Sequence, residues 1–188
     1  MKTKFFKLFM AALAVLVSGC ASKNASYVQS GGADSIISTR KINIADWNSA
    51  AAKLTSNLLA SGTLDSLGLK QPIKMLVSSV KNNTSEVIDT SMLTNRIIMD
   101  LTNTGKVIAI SNDRATQELA QSEAKISGKK IDPAKITLTG LISEDREANS
   151  DKREVTYTFT LQLNMDGASR WIGTEQITKQ SDISAFGF

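Results

Sequence analysis

Three carboxylates close together in the C-terminal third of the chain could carry out acid–base chemistry. Glu144, Asp145 and Glu147 alternate with basic side chains between two predicted strands. Two carboxylates can serve as the general acid and base of a cell-wall hydrolase. A mixed-charge segment between two strands is, however, usually the solvated tip of a hairpin. We therefore expect no catalytic residue in this segment, and a hydrolase is the weakest of three functional hypotheses.

The chain contains no histidine, and this excludes much of the remaining chemistry. Histidine is the commonest general base and the commonest metal ligand in proteins. Without histidine there is neither a Ser–His–Asp triad nor a typical zinc site. The sequence therefore predicts a protein that acts by binding, with no catalytic residue, no metal and no cofactor.

Cys20, the single cysteine, has surroundings that point to one definite modification. It follows a basic segment with Lys2, Lys4 and Lys7 and a short apolar stretch. Together these form a secretory signal peptide whose apolar part is too short to span a bilayer. Residues 17–20 read V-S-G-C, the pattern of a bacterial lipobox, in which the cysteine thiol is acylated. We predict a lipoprotein signal peptide over residues 1–19 and a lipid anchor on Cys20.

The charge of the chain does not indicate a nucleic-acid partner. The formal net charge of +4 includes the three lysines of the signal peptide, so without them it is +1. Nucleic-acid binding needs a clustered basic face, and we predict none. An acylated cysteine also leaves no thiol for a disulfide, so a hydrophobic core must provide the stability.

Composition divides the predicted mature chain into two parts. Residues 20–43 are rich in Ser, Ala, Asn and Gly, which is typical of a flexible tether. Such a tether reaches at most about 75 Å when fully extended. Residues 44–188 are predicted to form a single globular domain.

Apolar residues three and four apart predict three helices, over about residues 47–60, 90–103 and 112–125. Asp46 is the expected N-cap of the first helix. Ala115 and Leu119 are expected to face inward from the third.

Five strands are predicted, over about residues 73–80, 107–110, 136–144, 155–163 and 171–178. Residues 155–163 alternate strictly between apolar and polar, which is typical of a strand with one buried face. Polar or charged loops are expected at 81–85 and 145–153, and Asp166-Gly167 is a turn. The pattern predicts an α/β or α+β layered domain.

Several short motifs in this order resemble one family. They are A-D-W-N at 45–48, M-L-V-S-S-V-K-N-N-T at 75–84, T-N-T-G-K-V at 102–107, L-T-G at 138–140 and R-W-I-G at 170–173. Their order and spacing, behind a lipobox, are similar to those of the LpoB-type outer-membrane lipoproteins that activate penicillin-binding proteins.

This resemblance implies both a fold and a role. The implied fold is a mostly antiparallel sheet flanked by helices, similar to the N-terminal domain of TolB. The implied role is to sit in the outer membrane, face the periplasm and stimulate a class A penicillin-binding protein during peptidoglycan synthesis. The lipoprotein itself would carry no catalysis.

A structural outer-membrane lipoprotein that supports assembly of a flagellum or secretion system is the alternative. For the activator, recognition usually falls on polar loops, which here are the two loops at 81–86 and 145–153. The candidate partner contacts are Lys81, Asn82, Asn83, Thr84, Arg146 and Arg153.

Overall fold

The computed structural model of the protein describes residues 27–38, 41–112, 114–128 and 134–183. The predicted lipid-attachment residue, Cys20, lies outside these ranges, so its acylation stays a prediction. Within the described ranges, no helix is long and apolar enough to cross a membrane.

Helix α1 spans Ile44–Ala60 and begins with a capping box. The Asn43 side chain accepts a hydrogen bond from the Asp46 backbone N–H at 2.9 Å. The Asp46 carboxylate accepts one from the Asn43 backbone N–H at 2.8 Å. The prediction of Asp46 as the N-cap was therefore wrong: Asn43 caps the helix, and Asp46 is the acidic partner inside the first turn.

Three further helices follow: α2 at Thr63–Ser66, α3 at Ser91–Thr102 and α4 at Arg114–Ser127. The apolar stripe of α3 is confirmed, because Leu93, Ile97 and Leu101 are all buried. Helix α4 forms, but Leu119 is 65% exposed, so the prediction that it faces inward was wrong. The side chain of Ala115 lies outside the described part of the helix.

The sheet contains six strands: β1 Ile73–Val77, β2 Lys81–Asn83, β3 Val107–Ser111, β4 Ile136–Ala148, β5 Lys152–Met165 and β6 Ala168–Asp182. The order is β3-β1-β4-β5-β6, and β2 pairs with β4 beside β1. The long strands β4, β5 and β6 form antiparallel ladders. The short strands pair in parallel. The predicted α/β class, with a sheet flanked by helices, is confirmed.

One face of the sheet carries the core, and α1 and α3 cover it. The strict alternation of β5 is confirmed, because its odd-numbered residues from Val155 to Leu163 are buried. Ile42, just before α1, is also buried in this core. Asp166 and Gly167 have φ values of 52° and 76°, as a two-residue hairpin turn between β5 and β6 requires.

Two predicted loops are shorter than the sequence indicated. Lys81–Asn83 is strand β2, paired with Leu141–Ser143 of β4, rather than part of a loop. Strands β4 and β5 continue almost to the hairpin tip, which leaves residues 149–151 as the turn instead of 145–153. Consequently, Arg146 and Arg153 are strand residues.

Candidate partner-binding surface

The six candidate contacts fall on two neighbouring parts of the structure. Lys81, Asn82, Asn83 and Thr84 belong to β2 and the turn after it. Arg146 lies further along β4, on the strand that β2 pairs with. The structure links Asn82 and Thr84 to Arg146 through Glu86. Lys81 and Asn83, whose Cα partners are Leu141 and Ser143, lie on the opposite face of β4 from Arg146.

Arg153 lies apart from that group. It is exposed, and its Cα partners are Ala148 on β4 and Ser181 on β6, next to the hairpin tip. Arg153 lies on the β4–β5 hairpin, as Arg146 does, but closer to the tip of the hairpin.

Asn82 and Thr84 use their side chains to shape the turn after β2. The Asn82 side chain accepts hydrogen bonds from the Thr84 backbone N–H at 3.0 Å and from its hydroxyl at 2.8 Å. Its amide donates to the Glu86 carbonyl at 2.7 Å. Such side-chain-to-backbone bonds fix a turn locally. Asn82 and Thr84 are therefore structural, whereas Lys81 and Asn83 are exposed and available for contact.

Glu86 connects three separate elements at this surface. Its carboxylate accepts hydrogen bonds from the Arg146 guanidinium at 2.9 Å and from the backbone N–H of Ile42 at 3.2 Å. It also accepts one from the Tyr157 hydroxyl. One carboxylate thus connects the turn after β2, the start of α1 and the two strands β4 and β5.

Tyr157 supports this cluster from the sheet beneath it. Its ring is fully buried, and the Arg146 guanidinium lies 6.0 Å from the ring centroid. Burial, together with the hydrogen bond to Glu86, raises the pKa of the Tyr157 hydroxyl well above its usual range. The hydroxyl therefore stays protonated and remains a donor to Glu86.

Arg146 also pairs with Glu144, two residues earlier on the same face of β4. The guanidinium donates to the Glu144 carboxylate at 2.8 Å. The Ser85 backbone N–H donates to the other oxygen at 2.8 Å. Although burial opposes it, these bonds lower the pKa of the Glu144 carboxyl. The hydrogen bond to Glu144 in turn raises the pKa of Arg146 further above its usual value.

The same geometry does not favour acid–base catalysis by the three carboxylates. Glu144 is held ionised by Arg146, whereas a general acid needs a raised pKa. Side chains alternate along a strand, so Asp145 and Glu147 lie on the opposite face of β4. Within the described ranges, no group of three or more His, Cys, Asp or Glu residues is arranged to hold a metal ion.

A buried ion pair lies beside the Glu86 cluster, which consists of Glu86, Glu144, Arg146 and Tyr157. Lys179 of β6 donates to the Asp46 carboxylate and, at 3.1 Å, to the Lys41 carbonyl. Its ammonium lies 5.8 Å from the centroid of the Tyr157 ring, across from Arg146. These contacts attach the chain leading into α1 to the far strand of the sheet.

Sequence reasoning included Glu86 only as the last residue of the candidate contact loop at 81–86. Its long-range partners cannot be inferred without the fold, and Val87 was missed altogether. Val87, next to Glu86, is fully exposed although it is apolar. The available signal was the apolar pair Val87-Ile88 directly after the polar loop. We define the outer surface of Lys81, Asn83 and Val87 as the β2 surface; Glu86 and Arg146 support it from below.

Comparisons with known proteins point to one family. The family model of the peptidoglycan-synthase activator LpoB matches residues 46–177, from the first turn of α1 into β6. No curated protein matches the chain.

Among solved structures, the chain is similar to the LpoB C-terminal domain from Salmonella enterica. The two are 23% identical, the match covers 70% of this chain and 98% of that one, and the TM-score is 0.47. The NMR structure of E. coli LpoB is 21% identical, covering 88% of this chain and 85% of that one, with a TM-score of 0.45. Lipoprotein GNA1162 from Neisseria meningitidis is 17% identical, covering 58% and 85%, with a TM-score of 0.41.

Proposed function

Because the chain belongs to the LpoB family of peptidoglycan-synthase activators, we propose that it binds a class A penicillin-binding protein and stimulates its synthesis of peptidoglycan. In this proposal Cys20 carries the lipid that anchors the protein in the outer membrane, and the domain faces the periplasm. The protein contributes binding and no catalytic group. The family match over residues 46–177 carries the proposal.

The β2 surface is the proposed contact with the enzyme. It combines an exposed cation, an amide and an exposed apolar side chain, in Lys81, Asn83 and Val87. Loops that a rigid scaffold positions are the usual carriers of recognition. Here the scaffold is the Glu86 cluster, which holds the turn after β2 against strands β4 and β5.

Stimulation of glycan polymerisation tests the proposal directly. The full chain, purified with its lipid, is mixed with a class A penicillin-binding protein, and the consumption of lipid-linked precursor is followed. We expect faster polymerisation than with the enzyme alone. If the rate is unchanged and the lipoprotein instead recovers flagellar or secretion components from cells, the alternative of an assembly lipoprotein replaces the activator.

Charge and polarity changes test the proposed surface. Lys81→Glu and Val87→Asp should weaken stimulation, while the thermal unfolding midpoint stays within a few degrees of the parent, since both side chains are exposed. Lys70→Glu is the matched control, because Lys70 is also exposed but precedes β1, at the opposite end of the sheet from β2. Equal stimulation by all three variants would move the contact away from the β2 surface.

Cell fractionation tests the anchor. The parent should sediment with outer-membrane vesicles, and a Cys20→Ser variant should leave that fraction. Retention of the variant in the outer membrane would contradict lipid attachment at this residue.

A further inference from the structure

Four apolar side chains are exposed in the segment that precedes α1, which we call the N-terminal loop (residues 27–37). They form two adjacent pairs, Tyr27-Val28 and Ile36-Ile37, and each side chain is at least half exposed. Single apolar residues scattered over a surface are ordinary, whereas clustered ones mark contacts with proteins or membranes. Asp34 is the one charged residue of this loop.

Two consecutive turns connect the apolar pairs and keep them close to each other. The Gly32 backbone N–H donates to the Gln29 carbonyl at 3.0 Å, and the Ser35 backbone N–H donates to the Gly32 carbonyl at 3.0 Å. The ends of a four-residue turn lie within about 7 Å of each other, so Gln29 and Ser35 are at most about 14 Å apart. The apolar pairs directly outside these two residues therefore belong to one compact surface.

The N-terminal loop packs against the folded domain. Gly31 has a φ of 76°, and a Cβ in its place would lie 2.8 Å from the Cβ of Ala45 in the first turn of α1. Such a close approach of the backbone to a side chain requires glycine. A contact made by the apolar pairs would therefore also position the start of α1.

The predicted lipid anchor places this loop beside a membrane. Only residues 21–26 separate Cys20 from Tyr27. The seven residue steps between the two span at most about 25 Å when fully extended. Within so short a linker, the effective concentration of lipid around the loop is in the millimolar range or above, so a weak apolar contact is sufficient.

The side chains of the loop suit the boundary between lipid headgroups and acyl chains. Tyrosine is enriched at this boundary, because its ring is apolar and its hydroxyl is polar. The branched aliphatic side chains of the two pairs can enter the upper part of the acyl region, as interfacial segments do. Asp34 lies in the turns between the pairs and is exposed, so its carboxylate can remain among the headgroups.

We propose that the two apolar pairs of the N-terminal loop insert into the lipid surface beside the acylated Cys20 and hold the start of α1 close to the membrane. This inference rests on the proposed anchor at Cys20 and is independent of the proposed enzyme partner. The lipid alone would leave the domain free to move over the full reach of residues 20–43. The second contact restricts that reach to residues 20–26.

Binding to vesicles without the anchor tests the loop by itself. The full chain with Cys20→Ser is mixed with phosphatidylethanolamine–phosphatidylglycerol vesicles at millimolar lipid, and the fraction that floats with the vesicles is measured. We expect weak binding at equilibrium, too weak to retain the variant in a washed membrane fraction. Adding Ile36→Ser and Ile37→Ser should weaken it at least about tenfold. The matched control adds Ile108→Ser and Ile172→Ser instead, since both isoleucines are exposed on the sheet.

Fluorescence quenching measures the position of the loop in the lipidated protein. With Cys20 acylated, an introduced cysteine is the one free thiol and can carry a fluorophore. The label is placed by Ser30→Cys in the loop or by Ser150→Cys at the tip of the β4–β5 hairpin, both of which are exposed positions. Brominated lipids should quench the loop label at least about threefold more strongly, and Ile36→Ser with Ile37→Ser should remove this difference.

The outcomes separate the loop from the anchor. Equal vesicle binding by the loop variant and its matched control would overturn the proposal. So would a lipidated protein that floats with vesicles while its two labels are quenched equally, and in that case the anchor would stand. If the parent bound no more tightly than Cys20→Ser, the anchor would be refuted, and the loop variant and its control would still decide whether the loop itself contacts lipid.

Discussion

Replacement of Glu86 by alanine is the most direct test of how the β2 surface is held. The buried Tyr157 hydroxyl would lose its acceptor, which costs about 1–3 kcal/mol. The ion pair with Arg146 contributes less, about 0.2–1 kcal/mol, because the Arg146 side chain is 38% exposed and Glu144 remains as its partner. The Ile42 N–H is partly exposed and would bond to water instead. Together these give a loss of about 1–4 kcal/mol.

Urea unfolding of the parent and of Glu86→Ala measures this loss as a change in the free energy of unfolding. Glu147→Ala is the matched control, since Glu147 is exposed and its cross-strand partner is Glu154, another carboxylate. Its effect should stay within about 0.5 kcal/mol. A loss for Glu86→Ala as small as that of the control would refute the reasoning, because the turn after β2 would then not depend on this carboxylate.

A double-mutant cycle with Tyr157→Phe isolates the contact between the two side chains. The phenylalanine retains the buried ring and removes the hydroxyl that donates to Glu86. We expect a coupling energy of about 1–2 kcal/mol between the two substitutions. Additive effects would show that the hydroxyl and the carboxylate do not stabilise each other.

Three further predictions concern other contacts. Because the pKa of the Glu144 carboxyl is lowered in the folded protein, its ionised form stabilises the fold at pH values above the unfolded pKa of 4.5. This stabilisation is lost as the pH falls through the folded pKa. The stability gap between the parent and Glu144→Gln should thus be present at about pH 7 and close in acid; a constant gap in pH-dependent thermal unfolding would contradict it. Gly140→Ala would place a Cβ 2.7 Å from Val80 Cγ2, so it should cost about 1–3 kcal/mol in urea unfolding, and less when Val80→Ala makes room. Lys179→Met leaves the Asp46 carboxylate buried without its cation and should cost about 3 kcal/mol, part of which Asp46→Asn in the same chain should restore. Equal losses in the single and the double variant, for either of these last two sites, would refute the packing or pairing argument.

Local periodicity predicted those helices and strands in which the spacing of apolar residues alone determines the buried side. The alternation at 155–163 predicted β5, and the spacing of Leu93, Ile97 and Leu101 predicted α3, because each pattern has one buried side. Asp166-Gly167 predicted the β5–β6 turn, because both positions need a positive φ. These parts of the fold depend on neighbouring residues alone.

The errors arose where distant partners decide the structure. Lys81–Asn83 is polar and looks like a loop, but it is a strand because β4 offers backbone partners at Leu141–Ser143. Residues 145–148 are charged, yet they remain in β4 because β5 pairs with them up to the turn. Leu119 has the spacing of a buried residue, but α4 leaves it 65% exposed.

The candidate site was predicted in part for the same reason. Its polar loop was located from composition, and Lys81 and Asn83 are exposed there. The partners of Glu86, in contrast, are 44, 60 and 71 positions away along the chain. No local pattern encodes such distances, so the residue that holds the surface together is visible in the fold and not in the sequence.

The bond between Glu86 and the Ile42 backbone has a mechanical consequence. The chain enters the domain at Ile42, and that N–H is held by the carboxylate that also holds the turn after β2. Lys179 of the far strand, β6, donates a hydrogen bond to the carbonyl of Lys41, the residue before Ile42. Tension along the chain that enters the domain therefore divides at residues 41–46 between α1, the turn after β2 and strand β6. A pull from the N-terminal side loads these polar contacts together with Ile42, whose side chain belongs to the hydrophobic core.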